Sequence, residues 1–241
     1  MNQSDAPMSS FLAELAGEAT QKLEAKRTQQ QDRQEMMRSV HESLERTEKF
    51  FSLFCKHLNA IEPAVPRYYV LNGKSCFSDL KWKSGMISAR KQNLADDALL
   101  DHAYFQVRLI SPTPVETTRR WEKFDEFRKE VSAYGLKPKI DLDELWRVRR
   151  EHPMLKVELE PELLLWIRFE ANYATGSIDV TANNLDGFGK LQASLPPESL
   201  QTSTFDGIGR FLMGRANTLP EEFKLDRNLS GVQIDSGQFL P

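Results

Sequence analysis

The sequence predicts an α+β protein: a long, coiled-coil-like N-terminal helix followed by an antiparallel β-sheet domain flanked by helices. A single apolar register runs from Leu12 to Ile61 in alternating steps of three and four residues. Further on, runs of alternating apolar and polar residues are joined by short turns, the connection of antiparallel strands rather than of βαβ crossovers. Segments of helical period lie between and after those runs.

The register of the first helix passes through Leu12, Ala16, Ala19 and Leu23, then through Lys26, Gln30 and Arg33. It continues through Met37, Val40, Leu44, the polar Thr47, and Phe51, Phe54, Leu58 and Ile61. Gly17 is the only glycine in the segment, and no proline falls between Pro7 and Pro63. A helix of ~50 residues is ~75 Å long, more than the diameter of the domain the rest of the chain can build. Part of it must project or fold back. Glu24 to Gln34 is too polar for a dry seam, so it is either solvated helix or a bend. Phe50, Phe51 and Phe54 widen the stripe near the helix end and favour burial against a sheet there. Pro63 and Pro66 stop the helix.

Arg67 to Leu71 reads as a strand, and Asn72-Gly73 as a hairpin turn needing positive φ. A strand from Lys74 to Lys83, a turn at Ser84-Gly85 and a strand from Met86 to Lys91 follow. Asn93 to Asp101 reads as a loop or helical turn. Phe105, Val107 and Leu109 alternate against Tyr104, Gln106 and Arg108. Thr117 or Thr118 would cap a helix reaching Tyr134, with Gly135 as its stop. Asp141 and Glu144 suggest a capping box for a short helix to Arg150. Strands are then expected at Leu155–Leu159, Leu163–Ala171, Ile178–Ala182 and Lys190–Leu195. A closing helix spans Ser203 to Met213, with Phe205, Ile208, Phe211 and Leu212 inward. The expected organisation is a disordered N-terminus (1–9), the long helix as association element (10–62), the α+β domain (63–215) and an irregular C-terminal tail (216–241) lying on the domain surface.

Composition narrows function. The net charge of -3 speaks against a dedicated nucleic-acid binder, which is usually basic. Two cysteines, Cys55 and Cys76, cannot form a disulfide framework and suit a reduced, cytoplasmic chain. No run of 18 apolar residues offers a membrane span. The chemistry-bearing residues form no constellation. His41 and Glu45 are one turn apart, but no other ligand joins them. Cys55 and His57 point to different helix faces. Gly207-Ile208-Gly209 with Gly214 lacks the strand and the spacing of a phosphate loop and reads as close helix packing. Glu158, Glu160 and Glu162 read as a solvated strand face. No catalytic, cofactor or metal residue is therefore assigned.

The functional expectation is a non-enzymatic cytosolic adaptor or scaffold subunit that self-associates, as a homodimer, or docks a protein partner through its first helix. Its interface residues would be Leu12, Ala16, Ala19, Leu23, Met37, Val40 and Leu44. The alternative is a nucleic-acid-associated protein. It would use a basic patch of Arg119, Arg120, Lys123, Arg147, Arg149 and Arg150 on the two middle helices, among interleaved acidic residues.

Overall fold

The computed structural model describes residues 10–71, 73, 75–93, 98–140, 154–223 and 226–227. The N-terminal nine residues, Asn72 of the expected hairpin turn, the expected helix at 141–150 and most of the tail lie outside them.

Helix α1 spans Ser10–Ile61 without interruption, so residues 24–34 do not bend. At its end Glu62 takes a left-handed φ of 45°, and its N–H closes back on the Leu58 carbonyl at 2.8 Å. Pro63 cannot continue the ladder.

The chain then builds strands β1 (Ala64–Val65), β2 (Tyr69–Leu71), β3 (Ser75–Phe77), β4 (Leu80–Lys91) and β5 (Leu100–Ile110). These are followed by β6 (Val115–Arg120), helix α2 (Phe124–Ala133), β7 (Pro138–Lys139), β8 (Met154–Leu159), β9 (Glu162–Asn172), β10 (Ser177–Asn183) and β11 (Lys190–Leu195). Helix α3 (Thr202–Leu212) and β12 (Asp226–Arg227) are the last elements among the described residues. The main sheet has the order β1-β4-β5-β9-β10-β11-β12, and every pair in it is antiparallel. A smaller antiparallel sheet has the order β6-β8-β7.

Strand alternation sets the layers. Phe105, Val107, Leu163, Leu165, Ile167, Phe169, Ile178 and Val180 are buried on one face of the main sheet. The second half of α1 lies on that face, with α3 beside it. Phe51 is the centre of the contact: its ring lies 4.3 Å from Phe105, 5.7 Å from Phe205 and 6.2 Å from Phe169. Burying a side chain of this size contributes about 1.5–3 kcal/mol.

Several expectations need correction. The heptad frame holds from Val40 to Leu58, with Phe54 and Leu58 partly buried against the core, and fails at its last position. Val40, Leu44, Thr47, Phe51 and Cys55 are buried there, whereas Ile61 is 67% exposed. A straight helix drifts ~20° per heptad, so three heptads carry Ile61 off the sheet-facing side. Ser84-Gly85 is not a turn. β4 runs through it with a register irregularity between Trp82 and Ser84, and the turn lies earlier, at Ser78-Asp79. Leu100 and Asp101 belong to β5, not to a loop. Thr117 and Thr118 lie in a strand rather than capping a helix, because Val115 and Thr117 pair across β8 with Leu159 and Val157. α2 begins only at Phe124, and Gly135 ends it with a φ of 75°. The strand at Leu155–Leu159 joins the small sheet, not the main meander. The tail is not merely superficial: Phe223 is fully buried, 6.1 Å from the Phe169 ring.

Candidate partner interface

The two halves of α1 have different surroundings. Every described side chain from Phe11 to Glu35 is exposed. At 1.5 Å per residue this is a rod of about 38 Å standing off the domain. The rod leaves the sheet at Met36, whose side chain lies against Gly176 in the β9–β10 turn. Gly176 has a φ of 73°, and a Cβ there would collide with Met36. Backbone conformation and side-chain room thus both call for glycine at this point.

The root of the rod is held by polar contacts that resolve its non-apolar positions. The Ser43 hydroxyl donates to the Pro197 carbonyl at 3.1 Å, and the Thr47 hydroxyl donates back to the Ser43 carbonyl at 2.8 Å. His41 Nδ1 accepts the Leu100 N–H at 3.2 Å, and its Nε2 lies 3.5 Å from Glu45. The His41–Glu45 pair therefore ties α1 to β5. At the far end of the helix, Asn59 Oδ1 accepts the Trp82 indole N–H at 2.8 Å and the Gly85 N–H at 2.7 Å.

On the rod, Phe11, Leu12, Leu15 and Leu23 are 64%, 52%, 44% and 61% exposed. With Ala16 and Ala19 they fall within an arc of about 140° when projected at 100° per residue. Phe11 and Leu15 do not belong to the strict heptad register, which is why a seam-based reading passes over them. The signal for them is the 3.6-residue period. Leu12, Ala16, Ala19 and Leu23 lie where a partner can reach them. Val40 and Leu44 do not: both are 0% exposed, used up against the domain's own sheet, and they are removed from the interface. Met37 is half-buried at the root.

The described part of the basic set does not form one positive helical face. Arg119 and Arg120 are on β6, and Lys123 is in a 3-10 turn before α2. The Arg119 guanidinium lies 4.5 Å from the Phe127 ring centre, and burial lowers its pKa. Lys123 meets Glu126 at 3.3 Å. A groove of about 370 Å³ runs beside them, lined also by Glu126 and Glu130. Arg147, Arg149 and Arg150 lie outside the described residues.

The remaining candidates are accounted for by packing and pairing. Glu160 lies 3.8 Å from both Lys137 and Lys139. Glu162 is bound to Lys83 at 2.6 Å, and that hydrogen bond holds its carboxyl below the usual carboxylate range. A carboxyl kept ionised is poorly placed to serve as a general acid. Gly209 lies close against Phe54, and Gly207 against Pro220, so both glycines allow close approach of neighbouring side chains. Among the described residues, no group of three or more His, Cys, Asp or Glu side chains could hold a metal ion. No described helix is long and apolar enough to cross a membrane.

Comparison with protein-family models, with curated proteins and with solved structures gives no match to this chain.

Proposed function

We propose that this chain is a non-enzymatic cytosolic adaptor or scaffold subunit that self-associates or docks a protein partner through the first half of α1. One observation carries the reading. An exposed apolar stripe a little over three turns long stands on a rod outside the domain, while the same helix is firmly rooted in that domain's core. Exposed apolar stripes of this kind are characteristically covered by another protein surface, most simply by a second helix.

The test compares the full chain with the Leu12→Asp, Leu23→Asp double variant by light scattering and by co-purification from the native source. The reading expects the wild-type chain to form an oligomer or a defined complex and the double variant to lose it. Retention of every associated protein by the variant, with both chains monomeric, overturns it.

A further inference from the structure

Resting on that reading, we infer that the occupant of the stripe is a second copy of this chain, and that the two rods pair antiparallel. The stripe has a two-fold pattern: Leu12, Ala16, Ala19 and Leu23 are spaced four, three and four residues apart, the same in either direction. About a centre between Gly17 and Glu18, Leu12 of one copy meets Leu23 of the other. Ala16 likewise meets Ala19, small against small, so that the backbones approach closely. An isologous contact of this kind is the commonest basis of homodimers.

Charge decides the direction. In a parallel pair, positions on one flank of the seam face positions on the opposite flank of the second copy. Lys22 would then lie across from Arg27 of the second copy, and Lys26 would face its own counterpart inside the seam. Gln30 and Arg33 would follow in the same unfavourable layers. In the antiparallel pair, like flanks meet, and Lys22 comes level with residues 13 and 14 of the second copy, beside Glu14 rather than opposite Arg27. Lys26, Gln30 and Arg33 fall beyond the second copy's Leu12, where they remain solvated. The acidic start of the rod, with Glu14, thus lies beside Lys22 of the second copy, while Lys26 and Arg27 lie past its Leu12.

The arrangement also fits the fold. Each domain begins at about residue 36, so the two domains would sit at opposite ends of the paired rods, their roots about 55 Å apart along the axis. Residues 24–35 act as a spacer on each side. This accounts for a segment that is fully exposed and yet an unbroken helix.

The test uses the full chain in a Cys76→Ser background, since Cys76 is exposed and Cys55 is buried. Leu12→Cys and Leu23→Cys chains are oxidised separately and as a mixture at ~100 µM, a concentration able to populate weak pairs. The antiparallel pair gives a disulfide only in the mixture, because like positions lie about 16 Å apart along the axis, well outside disulfide reach. Small-angle scattering of the chain without these cysteines should give a two-lobed dimer, and Lys22→Glu, which sets a like charge beside Glu14 of the second copy, should lower its stability several-fold. A dimer in which each cysteine chain cross-links with itself overturns the antiparallel assignment and leaves the adaptor reading standing. A monomer at that concentration overturns self-pairing, and the adaptor reading then rests on whether Leu12→Asp, Leu23→Asp releases a different protein.

Discussion

The Asn59 carboxamide serves the Trp82 side of β4 as a neighbouring strand would. Its Oδ1 accepts the Trp82 indole N–H at 2.8 Å and the Gly85 N–H at 2.7 Å, while its Nδ2 donates to the Gly85 carbonyl at 2.9 Å. β1 pairs with β4 only at Leu80 and Lys81, so the Asn59 side chain continues the edge that β1 abandons. Asn59 gives the end of α1 this polar link to β4, and removing it leaves three polar groups of β4 without that partner. Asn59→Ala should cost about 2–4 kcal/mol. Asn59→Asp keeps both acceptor bonds and loses the donor, so it should fall between. Urea unfolding followed by tryptophan fluorescence measures both.

Gly85 is needed for room rather than for a turn. A Cβ there would strike the Trp82 ring and lie 3.0 Å from Cys55 Sγ. Gly85→Ala should cost about 1–3 kcal/mol through overpacking. Its cost should shrink in a Trp82→Leu background, because the clash partner is gone. A double-mutant cycle with a coupling below ~0.5 kcal/mol would show that the ring is not the cause.

Misreading Gly85 as a turn shows where local signals stop. Ser-Gly between two short apolar runs has turn chemistry, and only the distant Asn59 and Cys55, which close around the neighbouring Trp82, reveal that the glycine makes way for an indole. Thr117 and Thr118 fail in the same way. They look like helix caps until β8, some forty residues on, pairs with them. Where the determinants are local, the reading holds. The alternation in β9 and β10, the Gly135 stop and the inward face of α3 all appear as expected. The candidate interface divides similarly. Leu12 and Leu23 are legible from spacing. That Val40 and Leu44 belong to the core is not, because an apolar register looks the same whether a sheet or another helix covers it.

Burial pushes the Tyr69 phenol up to about 12, with the nearby Arg67 guanidinium pulling the other way. Below pH 10 the phenol is neutral in both folded and unfolded chains, and its contribution is constant. Between pH 10 and about 12 the unfolded chain releases this proton and the folded chain does not, so unfolding becomes easier as pH rises. Two pH units correspond to about 3 kcal/mol. Alkaline unfolding should coincide with a late, cooperative rise in tyrosinate absorbance, and Tyr69→Phe should reduce that rise and make stability less dependent on pH above 10. An early, gradual titration of every tyrosine in the folded chain would contradict the burial argument.

The two halves of α1 should differ in local stability although they form one continuous helix. Val40, Leu44 and Phe51 are fully buried, so their amides open only when the domain unfolds. Leu44→Ala should accordingly cost about 2–5 kcal/mol. The described side chains of the exposed half make short-range bonds along the helix, such as Thr20 to the Ala16 carbonyl and Thr28 to the Glu24 carbonyl. Most helical stability in proteins comes from tertiary packing of an apolar face, which this half does not receive from the described domain. Hydrogen exchange read by mass spectrometry should therefore show slow exchange from about residue 40 onward and rapid exchange from 11 to 33 in dilute protein. If a second copy covers the stripe, protection between 11 and 27 should rise with protein concentration, and Leu23→Asp should abolish that rise while leaving exchange beyond residue 40 unchanged. Equal protection of both halves at every concentration would mean that the first half is held by the domain itself, which its exposure argues against.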